Sequence, residues 1–100
     1  MARDRTDLQE LLETIVPKVY FQPPANIRLE YPCIIYSRDY VDIRHADNLP
    51  YRTEKRYQVT IIDRNPDSPY PDVVGRLPGS SFDRFYTADN LNHDVYTLYF

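Results

Sequence analysis

The sequence predicts an α+β fold, namely a small, mainly antiparallel sheet with two short flanking helices and a long hairpin arm. Apolar residues near the N-terminus recur at helical spacing, whereas later apolar segments are short and either continuous or alternating, as strands are. Turn-rich segments containing proline separate these elements. A length of 100 residues suits one modest core, so we expect residues 1–100 to form a single domain.

The first expected element is a short amphipathic helix from Asp7 to Ile15. Thr6 and Gln9 have the spacing of a capping box, and Pro17 ends the pattern. The apolar residues of the segment are Leu8, Leu11, Leu12 and Ile15. A helix this short is marginal in water by itself, so its leucine face must pack on the rest of the domain.

Three strands and a long arm follow. Lys18 to Phe21 is the first strand, and Tyr31 to Ser37 is nearly continuous in apolar residues, as in a central strand covered on both faces. Lys55 to Asp63 alternates, which predicts one buried face. The apolar residues of that face are Tyr57, Val59 and Ile61. The residues between the last two strands alternate further and have a polar tip ending at Pro50, which predicts a hairpin arm extending beyond the core.

The last third of the chain supplies a second helix and a final hairpin. Pro71 suits the first helical position, Asp72 favours the positively polarised helix start, and Gly79 is expected to end the helix. Two strands follow, over residues 81–87 and 94–100. The six residues 88–93 between them predict a connection longer than the commonest hairpin loops.

Composition argues against several classes of protein. The net charge of −3 is spread over interspersed acidic and basic residues, unlike the basic face of a nucleic-acid binder. The single cysteine, Cys33, is followed by two isoleucines and is expected to be a buried, unreactive thiol of a protein made in a reducing cytoplasm. A charged N-terminal segment and the shortness of every apolar run predict neither secretion nor membrane insertion.

A polar cluster near the C-terminus is a candidate metal or catalytic site. His93 and Asp94 there could combine with His45 and Asp47 in a small metal-dependent enzyme. Neighbouring residues on a strand point to opposite faces, however, and Asp and Asn are frequent in turns because their side chains bond the local backbone. We therefore favour a turn, and we expect no enzymatic activity, no cofactor and no metal.

Other features predict an interaction surface. Ten tyrosines and no tryptophan exceed the needs of one small core, and tyrosine is enriched at interfaces, although it also fills strand positions well. The apolar end, Tyr99 and Phe100, either lies inside the sheet or is covered by a neighbour. A basic group on the arm and an acidic group beyond it could meet between copies and close a ring head to tail, or both could be solvated. The basic residues are Arg52, Lys55 and Arg56, and the acidic residues are Asp63, Asp67 and Asp72.

Longer segments of the chain resemble a known family. Similar segments are YPCIIYSRD, ADNLPY, KRYQVTIIDRNPDS and the run from PDVVGRLPG to the final LYF. They are similar to small proteins of long-tailed bacteriophages described as tail terminator or tail completion proteins. The resemblance extends from Tyr31 to Phe100, and some relatives in the family carry looser descriptions such as minor capsid or neck protein.

The resemblance implies a structural virion protein without catalytic residues. Such a protein forms a ring, usually a hexamer, that caps the head-proximal end of the tail tube, stops addition of the major tail tube protein and presents a docking face to the head-completion or connector protein. Acidic residues would line a lumen through which DNA passes without specific binding. The arm around Arg44 to Arg56 would contact neighbouring subunits or the tube. The resemblance places the protein in the tail or neck of the virion, after assembly in the host cytoplasm, and a head-completion or neck adaptor on the portal side is the alternative.

Overall fold

The computed structural model describes residues 4–46 and 49–100, without the side chains at positions 42, 44–46 and 49–53. This part of the chain forms two helices, α1 (Arg5–Glu13) and α2 (Tyr70–Gly75), and five strands. The strands are β1 (Val19–Phe21), β2 (Cys33–Ala46), β3 (Leu49–Asp63), β4 (Ser80–Ala88) and β5 (Leu91–Tyr99). They form one sheet in the order β1-β2-β3-β5-β4, in which only the β1–β2 pair is parallel. The predicted α+β class with a mainly antiparallel sheet is confirmed.

Both helices pack on the same face of the sheet, which we call the helix face. Leu8 and Leu12 of α1 and Val74 of α2 have no exposed surface, and they share one core with the sheet. The sheet residues of this core are Ile34, Tyr36, Tyr57, Val59, Ile61, Tyr96 and Leu98. The three predicted core positions of β3 are therefore confirmed, and the leucine face of the first helix packs as expected.

The opposite face of the sheet is also partly buried. Cys33 and Ile62 pair across β2 and β3 on this face and are 0% and 4% exposed. Burial and, to a smaller extent, the charge of Asp63 raise the pKa of the Cys33 thiol to about 11. The expected burial of Cys33 is confirmed by its lack of exposed surface, and a thiol with this pKa remains protonated at neutral pH.

The end of the second helix differs from the prediction. Helix α2 begins at Tyr70, one residue before Pro71, and ends at Gly75 rather than at Gly79. Gly79 instead has φ of +83° in the turn that enters β4, where an added Cβ would lie 2.5 Å from the carbonyl oxygen of Tyr99. Gly79 was predicted to end the helix, but it lies in the turn directly before β4.

The final hairpin is tighter than predicted. Its strands are joined by only two residues, Asp89 and Asn90, with φ of +55° and +63°, as in the type I′ turns that suit right-twisted strands. The expected six-residue connection is wrong, because residues 91–93 pair with β3 and β4 as part of β5. Strand β5 lies between β3 and β4, so the sheet itself flanks the C-terminal strand on both sides.

The predicted hairpin arm is present. The last pair between β1 and β2 is Phe21–Tyr36, and the last pair between β3 and β5 is Arg56–Tyr99. Beyond these residues β2 and β3 pair only with each other, as far as Ala46 and Leu49. The molecule consequently measures 52 Å along its longest axis against 27 and 23 Å along the others. Neither described helix has the length and apolar character that crossing a bilayer requires.

Candidate interaction surfaces

The residues of the polar cluster near the C-terminus form part of the final hairpin. His93 is paired with Ile62 and Asp94 with Ile61, so the two side chains lie on opposite faces of the sheet, as the alternation of strand residues predicts. The His93 ring stacks on Tyr86 with centroids 4.5 Å apart and an interplanar angle of 12°. Asn92 donates through Nδ2 to the carbonyl oxygens of Asp63 and Arg64 at 3.2 and 3.3 Å. These contacts connect the hairpin to the end of β3.

The described residues do not support the alternative hypothesis of a metal site. Among them, no group of three or more His, Cys, Asp or Glu side chains could hold a metal ion. Asp47 and the side chain of His45, which the metal hypothesis requires, lie outside the described part of the chain.

The predicted basic group lies along the arm. Arg44 and Arg52 pair across β2 and β3, and their side chains are outside the description. Lys55 lies on the helix face, two residues before buried Tyr57 on the same strand. The adjacent Arg56 is on the opposite face.

Arg56 is already paired within the chain. Its Nε donates to Oδ1 of Asp39 at 2.9 Å, and its guanidinium lies 5.0 Å from the centre of the Tyr40 ring. Hydrogen bonds to Asp39 and then to Tyr99 raise the pKa of the Arg56 guanidinium, which stays charged. Arg56 therefore stiffens the base of the arm, where β5 ends.

The predicted acidic group lies at the other end of the sheet. Asp63 ends β3 and accepts a hydrogen bond from the N–H of Asn65 at 3.1 Å, and Asn65 in turn accepts one from the N–H of Asp67 at 3.0 Å. Asp72 lies in the first turn of α2. Seven residues separate Arg56 from Asp63, or about 24 Å along an extended strand. Arg56 and Asp63 therefore do not meet within one copy.

The two predicted C-terminal interface residues differ in exposure. Tyr99 is 36% exposed opposite Arg56. Phe100 is only 8% exposed, belongs to the core, and its N–H donates to the carbonyl oxygen of Lys55. The Phe100 side chain is therefore buried within its own copy, and its role as a contact residue stays a prediction.

An apolar surface that the sequence interpretation missed lies on β4. This strand forms one edge of the sheet, and Phe82, Phe85 and Tyr86 are 58%, 52% and 42% exposed. The pairing with β5 shifts by one residue between Phe82 and Arg84, so Asp83 is a bulge. The shift puts Phe82 and Phe85 on the helix face, opposite Tyr96 and Asp94. The sequence signal was the spacing of three between the phenylalanines, which breaks the two-residue period of a strand.

The arm carries a second exposed apolar surface. Val41 and Ile43 are 39% and 47% exposed and pair with Lys55 and Thr53, which puts them on the helix face. Tyr40, 51% exposed, pairs with Arg56 on the opposite face. The apolar side of the core thus continues onto the arm, beyond the residues that the helices cover.

Comparisons with family models, with curated proteins and with solved structures found no match for this chain.

Proposed function

We propose that this chain is a structural protein of a long-tailed phage virion, a tail terminator that forms a ring, of six copies, on the head-proximal end of the tail tube. The ring ends polymerisation of the major tail tube protein and joins the tail to the head-completion or connector protein. It has no catalytic role. The site of action is the tail or neck of the virion, after assembly in the host cytoplasm. The resemblance over Tyr31 to Phe100 motivates this proposal.

The observation that carries the proposal is the arm. It is a two-stranded ribbon that projects beyond the five-stranded sheet and exposes Tyr40, Val41 and Ile43 to solvent. Two-stranded ribbons are marginally stable alone, and exposed apolar residues on a projecting element favour contact with another chain. A ring of such subunits can hold each arm between neighbours or against the tube.

Termination would follow from competition for one surface. The ring offers the last tube ring the kind of surface that another tube ring would offer, and its far face lacks the surface that further addition requires. The net charge of −3 suits a lumen wall that repels DNA and lets it slide past without specific binding.

A polymerisation assay tests the proposal. Purified tail tube protein of the same phage is allowed to assemble with and without this chain, and tube lengths are measured by electron microscopy. We expect short tubes of limited length in its presence. The variant Ile43→Asp on the arm should lose the effect, whereas Ile27→Asp, at a loop residue of similar exposure (42%), should keep it. Tube growth that is unchanged by the wild-type chain would contradict the proposal.

The alternative is a head-completion or neck adaptor, which would use the same arm on the portal side of the joint. Co-sedimentation with purified portal and connector proteins separates the two functions. Binding to the portal together with unchanged tube growth favours the adaptor.

A further inference from the structure

We propose that the helix face of the arm of one copy binds the β4 edge of a second copy, at Phe82 and Phe85. We call these two surfaces the arm face (Arg38, Val41, Ile43 and Lys55) and the edge patch (Phe82, Phe85, Asp94 and Asp72). The number of copies in the ring is taken from the proposed function, on which this inference rests. The inference adds the two surfaces that join neighbouring copies.

The arm face combines aliphatic and basic residues. Arg38 pairs with Tyr57 across the two strands, and Val41 pairs with Lys55, so both cations share the face of the core. Val41 and Ile43 follow toward the tip, each more than one third exposed. The surface is therefore an apolar strip with two positive charges at its base.

The edge patch combines aromatic and acidic residues. Phe82 contacts the buried Tyr96 edge-to-face, with centroids 5.5 Å apart, and leaves 58% of its own surface in solvent. Phe85 pairs with Asp94 on the same face. Asp72 of α2 is close enough for its charge to act on Asp94. Two aromatic rings beside two negative charges complement the arm face in both polarity and sign.

The two surfaces face the same side of the sheet but lie toward opposite ends of one copy. The arm leaves the sheet where Arg56 pairs with Tyr99, whereas Asp94 lies five residues back along β5, about 17 Å toward the other end. A hairpin that extends away from the sheet does not fold back over the patch of its own copy. The contact must therefore join different copies.

A contact between two different surfaces repeats head to tail. Such a heterologous contact produces a closed ring or an open filament, unlike a two-fold contact, which stops at two copies. One arm face and one edge patch on each copy are the minimum that a ring of identical subunits requires.

The state of Asp94 supports the same conclusion. Burial, followed by the charge of Asp72, raises the pKa of the Asp94 carboxyl, so its charged form is disfavoured in the single copy. Ion pairs in the described part of the chain involve other carboxylates. Within the copy, the charge of His93 offsets only part of this effect. Lys55 or Arg38 of a second copy would supply a further counter-charge, and we expect Asp94→Asn to stabilise the single copy while weakening self-association.

A mixing experiment with two variants tests the contact. Ile43→Ser removes the apolar tip of the arm face, and Phe85→Ser removes one of the two phenylalanines of the edge patch. Sedimentation should show that each variant alone has lost at least about tenfold in association constant, because each has lost several buried carbon atoms. An equimolar mixture should form a dimer that stops at two copies, because it holds one intact arm face and one intact edge patch.

The matched control is Tyr86→Ser, which truncates the neighbouring residue on the opposite face of the same strand (42% exposed). It should leave self-association unchanged, and circular dichroism checks that all three variants are folded. The charge reversal Lys55→Glu should weaken the contact, and Asp72→Lys added to it should restore part of the loss.

The inference is overturned if the wild-type chain stays monomeric at every concentration, if Phe85→Ser associates as the wild type does, or if the variant mixture remains monomeric. These measurements use this chain alone, so they are separate from the tube assay. A ring that forms through these surfaces but leaves tube growth unchanged would refute the terminator function and keep the contact.

Discussion

Besides its leucine contacts, helix α1 is joined to the sheet by a chain of three hydrogen bonds, two of which involve the hydroxyl oxygen of Tyr36. Arg5 donates to the Tyr36 hydroxyl at 3.0 Å, that hydroxyl donates to Oε1 of Gln9 at 2.6 Å, and Nε2 of Gln9 donates to the carbonyl oxygen of Val19 at 3.2 Å. Tyr36→Phe keeps the fully buried ring and removes only the oxygen. Two hydrogen bonds are lost, one of them from a charged donor, but Arg5 and Gln9 are half-buried and regain some contact with water.

The expected loss in the free energy of unfolding is about 1.5 kcal/mol, between the values for one neutral and two charge-assisted hydrogen bonds. For a domain of this size it corresponds to a melting temperature lower by roughly 6–12 °C. Urea unfolding followed by circular dichroism measures the change, and Tyr86→Phe, whose ring is exposed, is the matched control. A loss below about 0.3 kcal/mol for Tyr36→Phe would refute the reasoning, because it would show that water replaces the hydroxyl at no cost.

Three further predictions concern stability and reactivity. Gly79→Ala should lower the free energy of unfolding by more than about 2 kcal/mol in urea, because its positive φ and the nearby Tyr99 oxygen both oppose a side chain. Asn90→Val should cost about 1–2 kcal/mol in the same assay, whereas Asn90→Gly should leave stability equal or higher. Alkylation of Cys33 at pH 8 should be slow until urea unfolds the chain. Because its folded pKa of about 11 exceeds the unfolded value, stability should fall as pH rises from about 9 toward 11.

Sequence patterns predicted those parts of the fold in which one local rule dominates. The leucine spacing of α1 and the alternation of Tyr57, Val59 and Ile61 each report a single face against the core, and both predictions are confirmed. The ends of the strands were harder to predict, because they depend on pairing with other strands that are distant in sequence. Residues 91–93 were predicted as a loop, yet they belong to β5 because β4 pairs with all three and β3 pairs with Asn92 and His93.

The candidate surfaces were only partly predictable for the same reason. The arm was visible in the sequence because apolar residues alternate on both sides of a polar tip. The edge patch was not, because the bulge at Asp83 changes which β4 residues share a face, and a bulge depends on the pairing with β5. Arg56 was predicted to contact another copy because of its position on the arm. The structure shows it paired with Asp39 of the same chain, a contact that depends on the pairing of β2 with β3.

The distribution of exposed apolar residues separates the two faces of the sheet. Tyr40, Tyr86 and Tyr99 all lie on the opposite face, where a hydroxyl can remain in water while the ring covers a neighbour such as Arg56 or His93. The exposed apolar strand residues of the helix face are instead aliphatic side chains and phenylalanines, which have no polar tip to keep in water. These residues are Val41, Ile43, Phe82 and Phe85. Burial of these four side chains leaves no polar atom of their own unpaired, so a contact between copies is favoured at these positions, and the exposed tyrosines of the opposite face are suited to remain hydrated.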